Sequence, residues 1–492
     1  MLRYAVVSDG KPADYVCLDG AYLLGTDDVP LRAEIAFEDG TITCKKQAAG
    51  PAGLALLWPV DQVGKILLET IRVPERDEPY VLQVELARGR LMRLMHKLED
   101  WGMFEMLSHA DLAERFERAR DLLIKALKGD PLSVAAEAGE RALTEAIQAS
   151  EEIARVHAKA FFERRCQTGP NRQVLGCSVG LDPPTAEHGK LLTDAFDFVT
   201  VPISWREIEP NEQSFNWKPL DTWVEWLAKS GIPIRGSALL SLSESSVPDW
   251  LYMWEHDFDT LRDLAFEHIR RVINRYGQYI QTWDVVSGIH TTNCFNFNFE
   301  QLMELTRMAM AITKQVAPRG VAVIDLLAPW GEYYARNQRT IPPVLYAEMV
   351  VQSGLDFEAF GLQFRFDRLA DGHNVRDFFQ ISSILDLYGK LGKPLHVTAF
   401  QVPSATVKGG AHGHWREPWS RESQAAWVER FLEIALSKPF VEKVIWHGLV
   451  DGTTDGDNDC GVVGSDLAPK PAYERFVETK AVLNQHGRSR GG

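Results

Sequence analysis

The stretch that decides the fold contains the runs IPIRGSALL (232–240), IQTWDVV (280–286) and VAVIDLLA (321–328). Each is a short apolar segment rich in β-branched residues, which is typical of a strand buried on both faces of a parallel sheet. Between them lie FDTLRDLAFEHIRRVINRYG (258–277) and FEQLMELTRMAMAITKQVA (299–317), whose apolar residues recur every three or four positions, as on an amphipathic helix. This stretch therefore predicts strands that alternate with helices.

The same alternation continues on both sides of this stretch. Five further segments of the same kind are VLGCSVGL (174–181), FDFVTVPIS (196–204), FGLQFRF (360–366), PLHVTAF (394–400) and KVIWHGLV (443–450). Eight such strands within residues 166–485, most of them separated by helical candidates, predict an α/β fold of the (β/α)₈, or TIM, barrel type. In such a barrel the functional site lies at the carboxyl ends of the strands.

The residues outside the barrel have a different texture. Short β-type runs separated by Gly, Asp and Pro predict a small β-rich domain over residues 1–79, a candidate carbohydrate-binding module. Residues 80–165 place apolar side chains at helical spacing and predict an α-helical spacer. Residues 486–492 are polar and glycine-rich, and we expect a disordered tail there.

The composition is that of a folded, acidic protein. Of the 492 residues, 45% are hydrophobic and 25% are charged, which excludes an intrinsically disordered chain. The 53 Lys and Arg against 68 Asp and Glu give a net charge of −15, which repels phosphate backbones and anionic lipid surfaces. We therefore expect neither nucleic acid nor a membrane as a partner.

The N-terminus and the cysteines both favour the cytoplasm. The opening MLRYAVVSDGKPADYVCLDG lacks the apolar core and the small-residue cleavage site of a signal peptide, and no segment reaches the roughly 20 apolar residues that span a bilayer. The six cysteines are scattered without a CxxC pair, which favours reduced thiols packed as small apolar groups. We expect a cytoplasmic protein.

Four segments in the second half resemble glycoside hydrolase family 10, the retaining endo-β-1,4-xylanases. They are EPNEQSFNWKPLDTWVEWLAKSGIPIRG (209–236), WDVV (283–286), GLQ (361–363) and KVIWHGLVDG (443–452) with GVVGSDLAPKPAY (461–473). The likeness runs from about Cys166 to Leu483 and does not include the first 165 residues. It implies a (β/α)₈ barrel with a carbohydrate ligand.

The resemblance fails at the two positions that carry the family's chemistry. A retaining glycosidase needs a carboxylic acid and a nucleophilic carboxylate about 5 Å apart. The family's acid/base Glu follows Val-Val-Asn, where this chain has Ser287 and then Gly288; its nucleophile in Thr-Glu-Leu-Asp falls on Ala399. We therefore expect no xylan hydrolysis by the family mechanism.

Most of the residues with which the family holds sugar are also replaced. The family's Lys at strand two is Ser204, its His after Arg-Gly is Ser237, and its His after Gly-Leu-Gln-x is Arg365. Aromatic rings suit the C–H faces of pyranoses, and polar side chains fix the orientation of a ligand. The residues expected to contact sugar are Trp205, Trp283, Gln363, Arg365 and Trp446. The alternative for the tryptophans is simple packing within the barrel.

Carboxylates at other strand ends leave an enzyme open as the alternative. Glu244, Glu332, Asp367 and Asp451 each follow a predicted strand, and two of them facing one cleft could act as a displaced acid and nucleophile. The first pair to test is Glu244 with Glu332. The competing interpretation is that these are loop carboxylates that cap helices or pair with arginines such as Arg365.

Two patterns resemble metal sites without completing them. The acidic run of Asp455, Asp457, Asp459 and Asp466 has the spacing of a calcium loop, but Cys460 occupies the sixth position and Asp the twelfth. His412 and His414 supply two ligands where tetrahedral zinc needs four. We expect no metal and no cofactor.

The sequence therefore predicts one of two functions. The first is a family 10-like barrel that binds an oligosaccharide or a related polyol without xylanase activity. The alternative is an active glycoside hydrolase that uses displaced carboxylates. Fold alone does not choose between them, because barrels host many activities and function depends on the site.

Overall fold

The N-terminal region folds into small sheets in this computed structural model, which describes residues 1–103, 110–168, 173–366, 372–406, 412–452 and 459–485. The strands are β1 (Leu2–Ala5), β2 (Val7–Ser8), β3 (Lys11–Pro12), β4 (Tyr22–Leu24), β5 (Pro30–Leu31), β6 (Ala33–Glu38), β7 (Thr41–Lys46), β8 (Gly53–Val60), β9 (Gly64–Glu69) and β10 (Tyr80–Val81). One sheet has the order β10-β1-β7-β6, β2 pairs with β3, and a second sheet contains β9-β8-β4-β5.

Three helices follow, α1 (Leu82–Asp100), α2 (Ala110–Leu127) and α3 (Leu132–Thr168). Each has the apolar stripe that its sequence spacing predicts, and α3 packs against both α1 and α2. Within the described part of the chain, no helix combines the length and apolar character that crossing a bilayer requires. The predicted tail, residues 486–492, lies outside the described residues.

The rest of the chain forms a closed barrel of eight parallel strands, in the order β11-β12-β13-β14-β15-β16-β17-β19. The barrel strands are β11 (Leu175–Ser178), β12 (Phe198–Pro202), β13 (Ile234–Ser237), β14 (Ile280–Ser287), β15 (Val321–Leu326), β16 (Ala359–Arg365), β17 (Leu395–Gln401) and β19 (Val441–Trp446). Strand β18 (His414–Trp415) lies between β17 and β19 in the chain but outside the barrel. Strand β11 pairs with β19 to close the ring. The predicted (β/α)₈ barrel is confirmed.

Helices alternate with the barrel strands, and several begin at side chains that cap them. They are α4 (Ala186–Ala195), α5 (Trp205–Ile208), α6 (Lys218–Lys229), α7 (Phe258–Tyr276), α8 (Phe299–Val316), α9 (Pro343–Gln352), α10 (Phe378–Gly389), α11 (Arg421–Ser437) and α12 (Pro471–Gln485), with 3₁₀ turns at Asp249–Trp254 and Glu332–Ala335. Asn298, Asp377 and Ser420 each accept a bond from a backbone N–H in the first turn of the helix that follows. Such caps satisfy N–H groups that the helix leaves unpaired.

Strand β18 joins the barrel to the N-terminal region. It lies in the segment after β17 and pairs antiparallel with β9, so that a barrel segment completes the N-terminal sheet in the order β18-β9-β8-β4-β5. Gly64 has a φ of +112°, and a Cβ there would lie 2.3 Å from the carbonyl oxygen of His414. Only glycine fits this close approach.

The three regions also share their apolar core. Buried side chains of the N-terminal sheets, of α1 to α3 and of the barrel form one continuous cluster, and α3 packs along α11 on the outside of the barrel. The division at residues 79 and 165 therefore marks changes in secondary structure within a connected core. The division of the chain into three domains stays a prediction.

Candidate functional site

The carboxyl ends of four adjacent barrel strands meet at Asp325, on β15. Its carboxylate accepts a bond from Ser287 Oγ on β14 at 2.6 Å and from Gln363 Nε2 on β16 at 2.7 Å. Thr398 Oγ1 on β17 donates to its other oxygen. Burial and the nearby charge of Asp284 raise the pKa of Asp325 to about 6, against the three donors, which lower it. A carboxyl held in this way is an organising acceptor for the strand ends.

Gly288, which the sequence resemblance places at the family's acid/base position, directly follows β14. Its φ is +65°, which L residues with a side chain seldom adopt, and a Cβ there would lie 2.9 Å from both terminal methyl groups of Leu327. A side chain at this position therefore meets both backbone strain and a packed leucine. Ala399, which the same resemblance places at the nucleophile position, lies on β17 and is buried.

Two polar side chains on barrel strands have atoms without a hydrogen-bond partner in the part of the chain that the structure describes. The amide of Gln401, the last residue of β17, is buried, and neither its oxygen nor its nitrogen has a hydrogen-bond partner among the described residues. The same holds for Thr200 Oγ1 on β12. Buried polar groups normally find partners. Ligand hydroxyl groups or water molecules, which both donate and accept hydrogen bonds, would satisfy these atoms.

Deeper in the barrel, Arg235 on β13 forms a buried ion pair with Asp284 on β14. Arg235 also lies 3.0 Å from His396 Nδ1, and His396 Nε2 lies 3.3 Å from a carboxylate oxygen of Glu442. Burial lowers the pKa of His396 to about 4, so the ring is neutral near pH 7, accepts at Nδ1 and donates from Nε2. These contacts hold the side chains of Arg235 and His396 in place inside the barrel. Within them, Arg235 balances the charge of Asp284.

Two of the predicted sugar contacts, Trp283 and Trp446, have no exposed surface. Trp283 fills the space beside Gly236. Trp446 packs edge-on against Phe400, with 5.1 Å between ring centroids, and against Phe476 of α12. Their rings therefore pack the barrel wall, and a sugar contact at Trp283 and Trp446 stays a prediction.

Trp205, Gln363 and Arg365 lie nearer the strand ends. Trp205 is buried, stacks on His268 with 4.5 Å between centroids, and donates from Nε1 to Glu209. Gln363 and Arg365 are half-buried at the carboxyl end of β16. Because Gln363 binds Asp325 and keeps some exposure, it connects the buried network with the surface. A sugar contact at these three residues stays a prediction.

Glu332 lies under the N-terminal sheet. Its carboxylate pairs with Arg376, which is fully buried, lies 3.4 Å from Glu69 on β9 and donates to the Tyr22 hydroxyl at 3.0 Å. A catalytic nucleophile must reach its substrate, whereas the carboxylate of Glu332 is paired with Arg376 between the barrel and the N-terminal sheet. The position of Glu332 therefore argues against a catalytic role.

The other predicted carboxylates are dispersed. Glu244 is exposed in the loop after β13, where its backbone carbonyl accepts a bond from Arg206. Asp451 accepts bonds from Lys470 at 2.7 Å and from the Gly461 N–H at 2.8 Å. Asp367 lies outside the described residues. Catalysis by the pair Glu244 and Glu332 stays a prediction.

The two metal-like patterns have other contacts where they are described. His414 accepts a bond from the Lys65 N–H, and His412 lies 3.3 Å from Asn374. Asp455 and Asp457 lie outside the described residues. Among the described residues, no three His, Cys, Asp or Glu side chains come together as a metal site would require.

Sequence reasoning missed Asp325 and the unpartnered amide of Gln401. Asp325 has a recognisable signal, because it is a single carboxylate inside the apolar strand VAVIDLLA (321–328). A charge within a buried strand needs partners from neighbouring strands. Gln401 has no such signal, since its lack of a partner depends on what surrounds it in the folded chain.

Comparisons with known proteins match the barrel. The model of "Glycosyl hydrolase family 10" matches residues 176–479, from β11 into α12. Endo-1,4-beta-xylanase B of Thermotoga neapolitana is 21% identical over 285 residues, which are 55% of this chain and 76% of that protein. Endo-1,4-beta-xylanase C of Paenibacillus barcinonensis is 30% identical over 127 residues, which are 24% of this chain and 11% of that protein.

Solved structures were matched as well. Xylanase 10B of Thermotoga petrophila RKU-1, in complex with xylobiose, has a TM-score of 0.48 and 17% identity, and the match covers 66% of this chain and 96% of that one. Xylanase 10B of Thermotoga maritima has a TM-score of 0.49 and 16% identity, with 68% and 99% covered. The family match spans more than half of the chain and begins after the N-terminal sheets and α1 to α3.

Proposed function

This chain belongs to glycosyl hydrolase family 10, and from that membership we propose that its barrel binds an oligosaccharide or a related polyol without cleaving it by the family's two-carboxylate mechanism. The proposal rests on the sequence assignment of Gly288 and Ala399 to the two catalytic positions, and the observation that carries it is the polar network at the strand ends. That network is centred on Asp325 and includes Thr398 on β17, the strand that ends at Gln401, whose amide has no partner among the described residues.

The absence of cleavage follows from the lack of carboxyl groups at the two catalytic positions. A retaining glycosidase must protonate the leaving oxygen and attack the anomeric carbon, and each step needs its own carboxyl group. Gly288 and Ala399 supply neither. Asp325 accepts three bonds and Asp284 is paired with Arg235, so these two buried carboxylates already have partners.

The capacity to bind follows from the remaining groups. Gln363 is half-buried and bound to Asp325 through its nitrogen, which leaves its oxygen as an acceptor. Gln401 and Thr200 offer further hydrogen-bonding atoms without partners among the described residues. Sugar hydroxyls both donate and accept, so they match such a mixed set. The cytoplasmic location is part of the same proposal, with an imported or endogenous oligosaccharide as the ligand.

The test is calorimetric titration of the purified chain with xylo-, cello- and manno-oligosaccharides, followed by product analysis of the same mixtures after long incubation. We expect binding without cleavage. Gln363→Ala should weaken binding at least tenfold, since it removes a contact and frees Asp325 from one donor. Gln352→Ala, an exposed glutamine at the end of α9, is the matched control and should bind as the unmodified chain does.

The competing proposal is an active hydrolase that uses Glu244 and Glu332. Cleavage in the unmodified chain, lost in both Glu244→Gln and Glu332→Gln, would establish it and overturn the binding-only proposal. Cleavage that survives both substitutions would point to carboxylates other than these two.

A further inference from the structure

A cavity of about 920 Å³ lies in the N-terminal region between β2, β8 and the first turns of α3. Every residue that lines it falls within residues 6–140, so the barrel takes no part in its walls. Its volume lies in the range of pockets that hold small ligands, roughly 300–1,000 Å³. The cavity is therefore a site candidate separate from the strand ends of the barrel.

Aromatic side chains stand at the floor and at the rim of this cavity. Trp58 on β8 is 8% exposed, and its Nε1 donates to Glu140 Oε1 on α3 at 3.2 Å, which holds the indole in place. Tyr15 at the rim is 77% exposed. Fixed aromatic rings with one polar edge are common binding anchors, and they suit the C–H face of a sugar.

The wall also contains a buried acceptor that nothing satisfies. Gln83, the second residue of α1, donates from Nε2 to the carbonyl oxygen of Val7 at 2.6 Å, so its oxygen is left as the acceptor. The side chain is 2% exposed, and this oxygen has no partner among the described residues. A buried acceptor without a donor is costly, and a ligand hydroxyl would supply the donor.

Charge narrows the class of ligand. Asp9, Glu137 and Glu140 line the cavity against one cation, Lys65. An excess of carboxylates disfavours phosphates and acidic sugars. Lys65, together with the hydroxyls of Ser8 and Ser133, supplies donors that an ammonium ligand could not use. The mixture fits a neutral polyol.

We propose that this N-terminal cavity is a second saccharide site, which takes a short neutral oligosaccharide independently of the barrel. Trp58 and Tyr15 would contact the apolar face of the sugar, while Gln83 and the carboxylates accept its hydroxyls.

The experiment is hydrogen–deuterium exchange of the full chain with xylopentaose, cellopentaose or mannopentaose as the probe. We expect one of the three to slow exchange in residues 6–17 and 133–140. That protection should persist in Gln363→Ala, which addresses the barrel site. Tyr15 is exposed, so Tyr15→Ala should leave the fold intact. This variant should need at least ten times more oligosaccharide to reach the same protection. Glu34→Gln on β6, an exposed carboxylate outside the cavity, should leave it unchanged.

The outcomes separate the two sites. Protection confined to barrel segments would overturn this proposal and leave the barrel proposal standing, and protection confined to residues 6–17 and 133–140 would do the reverse. The saccharide site would also be overturned if none of the three pentasaccharides protected these two segments. The same would hold if choline chloride, which tests for an ammonium ligand, were the one compound that protected them.

Discussion

Arg376 and Glu332 form a buried ion pair that lies between the barrel and the N-terminal sheet. The guanidinium also binds the Tyr22 hydroxyl and approaches Glu69, both on strands of that sheet. A single arginine therefore connects a loop after β15 with two N-terminal strands. Arg376 balances the charge of Glu332, so no substrate is needed to explain this buried carboxylate. Breaking the ion pair should lower the stability of the folded chain.

We expect Glu332→Gln to lower the free energy of unfolding by about 3 kcal/mol, because it leaves Arg376 buried with one of its two carboxylate partners missing. Urea denaturation at pH 7 measures the change. Glu244→Gln is the matched control and should stay within about 0.5 kcal/mol of the unmodified chain, since this carboxylate is exposed. Unchanged stability in Glu332→Gln would contradict the structural role.

The stability of the chain should depend on the protonation of Asp325. Its pKa rises from 3.8 to about 6 on folding, chiefly through burial. The folded state therefore favours the protonated form of Asp325. The resulting contribution to the free energy of unfolding is fully present below pH 3.8 and is lost as the pH rises through 6. Relative to Asp325→Asn, the unmodified chain should lose about 3 kcal/mol between pH 3.8 and pH 7.

Urea titrations of both proteins across that pH range measure this difference. Asp61→Asn, at an exposed residue between β8 and β9, is the control and should show no such divergence from the unmodified chain. A constant gap between Asp325→Asn and the unmodified chain would mean that Asp325 keeps an ordinary pKa when folded.

Gly288→Ala should be costly for two separable reasons. The left-handed backbone at φ +65° costs an alanine about 1–2 kcal/mol, and the added Cβ would lie 2.9 Å from Leu327. Gly354→Ala separates the two effects, because its φ is +67° and nothing lies within 4 Å of the added Cβ. We expect Gly288→Ala to lower the thermal midpoint more than Gly354→Ala does. Equal losses would mean that Leu327 moves aside freely.

Trp446→Phe should lower stability by about 2 kcal/mol and leave oligosaccharide affinity unchanged, because this ring packs against Phe400 and Phe476 without exposed surface. Denaturation and calorimetric titration of the same sample measure the two effects. Trp254→Phe, a partly exposed tryptophan, is the control for stability. A loss of affinity with unchanged stability would restore Trp446 as a sugar contact.

Local pattern was sufficient for the barrel. The alternation of apolar β-type runs with amphipathic stretches over residues 166–485 is a short-range property, and parallel strands joined by helices leave few topologies open. The identities of Gly288 and Ala399 are likewise readable in the chain, since each stands at a fixed offset from a recognisable run.

The same local reasoning does not describe the surroundings of individual side chains. Trp283 and Trp446 sit near strand ends in the sequence, but strand sides alternate, and the register decides which side faces the helices. Glu332 follows a strand as an active-site residue would, yet its surroundings come from Tyr22 and Glu69, about 300 residues earlier in the chain.

The sequence by itself determined the barrel and its family and predicts Gly288 and Ala399 at the two catalytic positions, because these depend on periodicity and short motifs. Only the tertiary structure decided that Asp325 gathers donors from three neighbouring strands and that β18 completes the N-terminal sheet. It also formed the cavity between β8 and α3. The physical reason is that hydrogen-bond partners and burial arise between residues distant in sequence, so a polar residue gains its role only when folding chooses its neighbours.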